Sequence, residues 1–106
     1  MPKFMIHVSY TTEGARGLQK EGGSARRAAA QKLVESVGGK LEAFYFAFGS
    51  TDVVAIADVP DNISAFATAL ATISTGTVRT QTTVLLTPEE VDKAVKKTVS
   101  FRPAGA

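Results

Sequence analysis

The stretch FYFAFGSTDVVAIADVPD, residues 44–61, decides the fold. Two apolar runs flank Gly49-Ser50-Thr51-Asp52, and Pro60-Asp61 closes the second run. The connection between them has the length of a hairpin loop. Leu41–Phe48 and Asp52–Val59 therefore read as two strands that reverse at this corner. Phe44, Phe46 and Phe48 alternate with Ala43, Tyr45 and Ala47, so neither side of the first strand is polar. A sheet with such a strand needs cover on both faces. The corner poses a second question, because Gly49 and Asp52 either shape a turn or rim a binding site.

Outward from the hairpin, both flanks repeat one pattern. On the N-terminal side, Phe4, Ile6, Val8 and Tyr10 alternate with Met5, His7 and Ser9 over Lys3–Tyr10, the period of a strand. The apolar set should pack under helices and the mixed set should face something else. Thr11-Thr12-Glu13-Gly14 caps a short helix, and Gly22-Gly23 interrupts it, with Ser24 as the N-cap of a second helix. Ala30, Leu33, Val34 and Val37 recur at helical spacing before Gly38-Gly39 stops the chain. On the C-terminal side, Asp61 or Asn62 caps a helix in which Ile63, Phe66, Ala67, Leu70 and Ile73 form one apolar stripe. Its alanine content lets it sit close to a sheet. Val78–Leu86, rich in Thr and Val, is a fourth strand. Thr87 at N-cap, Pro88 at N1 and Glu90 at the capping-box position start a last helix carrying Val91, Ala94 and Val95. Residues 99–106 read as an irregular tail of the single domain that spans 1–106.

The order βαββαβ followed by a C-terminal helix is the ferredoxin-like arrangement of the α+β class, with an antiparallel sheet and helices on one face. A monomer has nothing to lay on the other face. A second copy, sheet against sheet, is the simplest cover, and an obligate homodimer or higher homo-oligomer is expected, with His7 in or near the shared interior.

Composition narrows the function classes. The chain has no cysteine, which removes disulfides, thiolate chemistry and Cys-ligated metals and fits a cytoplasmic location. The net charge of +2 comes from scattered residues such as Arg26-Arg27 and Lys96-Lys97. No basic stripe with interleaved aromatics is present, so nucleic acid is not an expected partner. The apolar runs fall well short of the ~20 residues that span a bilayer, and a membrane is not expected either. There is no phosphate-loop spacing, no Gly-x-Ser-x-Gly, no paired catalytic carboxylates and no Cys–His arrangement.

Several blocks together resemble the GYD domain family. They are Thr11-Thr12-Glu13-Gly14, Gly49-Ser50-Thr51-Asp52-Val53-Val54, Asp58-Val59-Pro60-Asp61 and Val78-Arg79-Thr80-Gln81-Thr82, in the family's order and spacing. The family takes its name from Gly-Tyr-Asp; here Ser50-Thr51 stands between Gly49 and Asp52, one residue longer and without the tyrosine. The resemblance implies a dimeric α+β barrel and leaves the chemistry open. By fold, such a chain is similar both to antibiotic-biosynthesis-type monooxygenases and to the effector-binding module of leucine-responsive regulators, an analogy that carries no site.

Five residues are candidates for a ligand site. His7, the only histidine, is a possible general base, or simply a half-buried strand residue. Asp52 either accepts backbone N–H groups at the corner or binds a cationic ligand group. Arg79, among threonines, has the chemistry to hold a carboxylate or phosphate. Tyr45 and Asp58 are candidate cavity residues. No metal site and no cofactor is expected. Three functions remain: a small-molecule-binding homo-oligomer with its ligand at the sheet-to-sheet interface; a cofactor-independent or haem-using oxygenase or isomerase centred on His7; and a structural oligomerising protein with no ligand.

Overall fold

A computed structural model describes residues 1–106. Its elements are β1 (Lys3–Tyr10), α1 (Thr12–Glu21), α2 (Gly23–Ser36), β2 (Lys40–Phe46), β3 (Val53–Asp58), α3 (Asn62–Ile73), β4 (Val78–Leu85) and α4 (Pro88–Ala94). The strands form one antiparallel sheet in the order β2-β3-β1-β4. The fold is α+β and ferredoxin-like.

Local chemistry accounts for most boundaries. The Thr11 hydroxyl accepts from the Gly14 N–H (3.2 Å) and opens α1. Asp61 Oδ1 accepts from the Ser64 N–H (2.7 Å) and opens α3. Thr87 and Glu90 exchange reciprocal bonds at the start of α4 (3.1 and 2.8 Å). The break between α1 and α2 falls at Gly22, which sits at φ +85° and terminates one helix while starting the next. Ser24 is therefore inside the first turn of α2, and the expected serine cap is not used. Gly14 is buried where α1 crosses the carbonyl of Thr77, and a Cβ there would collide with that oxygen.

The strand faces sort as the alternation requires. Phe4 packs with Val34, Ala57 and Val59 into the core beneath α2. Lys3, Met5, His7 and Ser9 take the opposite face. On β2 the structure shortens the expected strand: it ends at Phe46, and Phe48 lies in the loop with its ring fully exposed. Phe44 and Phe46 meet edge to face at 5.5 Å on the helix side. A bulge at Glu42 shifts the β2–β3 register between Leu41 and Ala43.

The helix layer sits loosely on the sheet. Only eight of 106 residues are buried, so space remains between the layers. Helix α3 is the clearest departure from expectation. Its stripe of Ile63, Phe66, Leu70 and Ile73 turns outward, while Ala65, Thr68, Ala69 and Thr72 face the sheet. The helix has no charged residue to mark an outer side, so its period alone did not say which side meets the sheet. Helix α4 and the tail leave the end of β4 and project from the body, stretching the molecule to 56 Å along one axis and 34 and 23 Å along the others. They do not cover the open face of the sheet. No helix is long and apolar enough to cross a membrane.

Candidate functional site

The five candidate residues from the sequence lie on the helix-free face or at its margins. Cross-strand pairing places Tyr45, Val54, His7 and Gln81 in one row across β2, β3, β1 and β4. Neighbouring strands are about 4.8 Å apart, so Tyr45 and His7, with β3 between them, are roughly 10 Å apart at the backbone. His7 is half-buried among its neighbours, and Tyr45 is exposed at the edge strand. Arg79 pairs with Ser9 in the next row and is exposed. These side chains share a face without converging on an enclosed space.

Asp52 and Asp58 have structural partners. The Tyr10 N–H donates to Asp52 Oδ2 (2.8 Å), and the Asp52 N–H donates to the Val8 carbonyl (2.8 Å). The Asp52 side chain thus continues the β1–β3 ladder one bond beyond the last paired residues. The Ser9 hydroxyl donates to the Ser50 carbonyl (2.7 Å) and fastens the loop to the same strand end. The corner of the 44–61 stretch is held by Asp52 against β1. Asp58 is the cross-strand neighbour of Lys3, and the Glu42 bulge brings a second carboxylate to that ammonium. Lys3 Nζ donates to Glu42 at 2.7 Å and to Asp58 at 2.9 Å. The bond to Glu42 first, then that to Asp58, holds the Lys3 pKa above its usual value.

A half-open cavity is on the other side of the sheet. It has a volume of about 440 Å³ and lies between the sheet and helices α2 and α3. Its floor is Phe4, Ile6 and Val8 of β1 with Ala55 and Ala57 of β3. Its roof is Ala29, Ala30 and Leu33 of α2 and Ala65 and Ala69 of α3. The alanines of α2, α3 and β3 are too short to fill the gap between the layers, and that is why it stays open. None of His7, Tyr45, Asp52, Asp58 or Arg79 lines it.

The polar side chains of this cavity are Tyr10, Arg26 and six threonines, of which Thr75 and Thr77 bond to each other (2.6 Å). Along one side, Thr80 and Thr82 of β4 face Thr68 and Thr72 of α3. The α3 hydroxyls donate to the carbonyls of Ala65 (2.7 Å) and Ala69 (2.9 Å), which leaves their oxygens as acceptors. The β4 hydroxyls add donors. At one end are Tyr10 and Arg26. Arg26 Nη1 donates to Glu21 Oε1 at 2.9 Å across the α1–α2 break. Partial burial opposes the Arg26 charge, but Glu21 and the Tyr10 hydroxyl outweigh it and leave the guanidinium pKa raised. The wall carries no carboxylate and no imidazole. No group of three or more acidic or histidine side chains is gathered where a metal ion would be held.

Few polar side chains mark this cavity in the sequence. Its signal was the coincidence of alanines on three elements, Ala29-Ala30, Ala55/Ala57 and Ala65/Ala69, all on the helix side of the sheet. No curated protein and no solved structure matches the chain. The model of the GYD domain matches residues 4–95, most of the chain and every element through α4, and the chain belongs to the GYD domain family.

Proposed function

We propose that this GYD-domain protein binds a small, uncharged, mostly apolar molecule in the cavity between its sheet and helices α2 and α3. The observation that carries this reading is the cavity itself. At about 440 Å³ it falls within the range of small-molecule sites, and its walls are apolar with a few grouped hydroxyls. A molecule burying its apolar surface there gains roughly 25 cal/mol per Å². The threonines between β4 and α3 suit a carbonyl or hydroxyl substituent. The one cation at the rim is already neutralised by Glu21, which disfavours both a carboxylate and an ammonium ligand.

This reading moves the ligand from the sheet-to-sheet interface to the helix side. The oxygenase reading drew on His7 as a polar centre, and His7 stands on the opposite face from the cavity. The homo-oligomer remains part of the proposal. Met5, His7, Val54, Ile56 and Tyr45 form a largely apolar surface with no element over it, and a second copy with its sheet facing the first is the cover that needs no further sequence. A cysteine-free chain of this kind suits the cytoplasm.

Isothermal titration of 2-naphthol into the wild type and an Ala69→Phe variant tests the cavity. The ring of Ala69→Phe would occupy the space. The expected result is saturable binding by the wild type and at least tenfold weaker binding by the variant. Equal binding by both, or none by the wild type, would overturn the proposal.

A further inference from the structure

The outer surface of α3 is apolar and has no cover within the chain. Ile63, Phe66, Leu70 and Ile73 are 82, 65, 53 and 45 % exposed. Their spacing is three, four and three residues, the a/d spacing of a helix-to-helix seam. Ala67 and Ser74 flank the seam and are small enough to admit a close neighbour. The opposite side of the helix lines the cavity and is also free of charge. With its small and hydroxyl-bearing side already against the sheet, the large apolar side chains are the ones left without cover, and an apolar helix face is one that is buried in the working state.

We propose that the α3 seam is a homotypic docking surface, on which α3 of a second copy packs antiparallel about a two-fold axis. Charge selects this occupant. No residue from Asn62 to Ile73 is ionisable, so a charged partner finds nothing to pair with, while a second α3 meets no like charge. Antiparallel alignment also sets the N-terminus of each helix beside the C-terminus of the other, so that the two dipoles oppose favourably. Area points the same way. The four exposed side chains present roughly 500 Å², at the upper end of what a monomer leaves open. Two-fold pairing removes about 1,000 Å² in total, the lower bound for a specific interface. Spacing sets the geometry, since a/d seams pack at crossing angles near +20°. The seam is on the far side of the helix layer from the open sheet face, so this association is separate from a sheet-to-sheet dimer and from ligand binding.

The absence of native cysteine makes the test direct. Ala67 lies next to the midpoint of the seam, where an antiparallel two-fold brings a residue close to its own copy. Ala67→Cys in the full chain is oxidised with copper phenanthroline beside Ala28→Cys, at an exposed position on α2. The expected result is rapid disulfide-linked dimer from Ala67→Cys and at least tenfold slower linkage from Ala28→Cys. Leu70→Glu places a charge in the seam at an exposed position. It should halve the mass seen by sedimentation while leaving the circular dichroism unchanged. Equal linkage rates for the two cysteine variants would overturn the proposal, as would an unchanged mass for a folded Leu70→Glu.

Discussion

Removal of the Asp52 carboxylate is the sharpest perturbation of the corner in residues 44–61. In Asp52→Ala the Tyr10 N–H loses its 2.8 Å acceptor in a partly buried position. A hydrogen bond to a charged group contributes about 1.5–3 kcal/mol, and an unsatisfied donor costs about 1–3 kcal/mol when no water reaches it. Water reaches part of this site, so a loss of about 1–2 kcal/mol is expected. For a domain of this size each kcal/mol moves the midpoint by about 4 °C, so Tm should fall by about 4–8 °C. Asp52→Asn keeps an oxygen in the same place and should recover more than half of the loss. Differential scanning fluorimetry of the three proteins at one concentration is sufficient. A Tm for Asp52→Ala within about 1 °C of the wild type would refute the view that this carboxylate fastens the hairpin to β1. It would return Asp52 to the list of ligand-binding candidates.

Other outcomes follow from named contacts. Gly14→Ala places a methyl against the Thr77 carbonyl and should cost about 1–3 kcal/mol by chemical denaturation, whereas Gly17→Ala, exposed within α1 and facing open space, should stabilise by about 0.5–1 kcal/mol. Phe48→Ser should leave Tm unchanged, because the ring is fully exposed in the loop. Thr87→Ala removes half of the α4 capping box, yet α4 projects from the body; far-UV circular dichroism should lose helix while the main transition stays in place. Asp61 has its pKa lowered by the Ser64 backbone N–H first and then by the Ser64 hydroxyl. A lowered carboxylate pKa means stability that is present above the unfolded value and lost as pH falls through the folded one. The stability advantage of the wild type over Asp61→Ala should therefore be constant near neutrality, begin to shrink below about pH 4, and go on shrinking as pH falls through the lower folded-state value.

The elements were legible because each rests on short-range chemistry. Alternation in Lys3–Tyr10, the Gly49–Asp52 corner, the Asp61 cap and the Thr87–Glu90 box are all local signals, and each appears in the structure. The strand faces followed too, since a period of two leaves no choice once one face is covered. Two features were not legible. Which side of α3 meets the sheet depends on packing against a partner layer, and the helix has no charged side to mark it; its hydroxyl-bearing side, with Thr68 and Thr72, is the one that faces the sheet. The cavity is a property of what small side chains leave empty. Polar candidates such as His7 and Arg79 stood out as residue types, but their positions on the open face separate them from the cavity. Asp52 was legible in kind, though its acceptor role is to the end of β1 and not within the turn.

The proposed ligand site lies on the helix side of the sheet. Methyl chemical-shift mapping with 2-naphthol tests it most directly, because alanine and threonine methyls line the cavity and Met5, Ala43 and Ile56 report on the open face. Saturable shifts are expected at Ala30, Ala55, Ala69 and Thr80, with Met5, Ala43 and Ile56 unmoved. Shifts concentrated at Met5, Ala43 and Ile56 would contradict it and place the ligand between facing sheets beside His7.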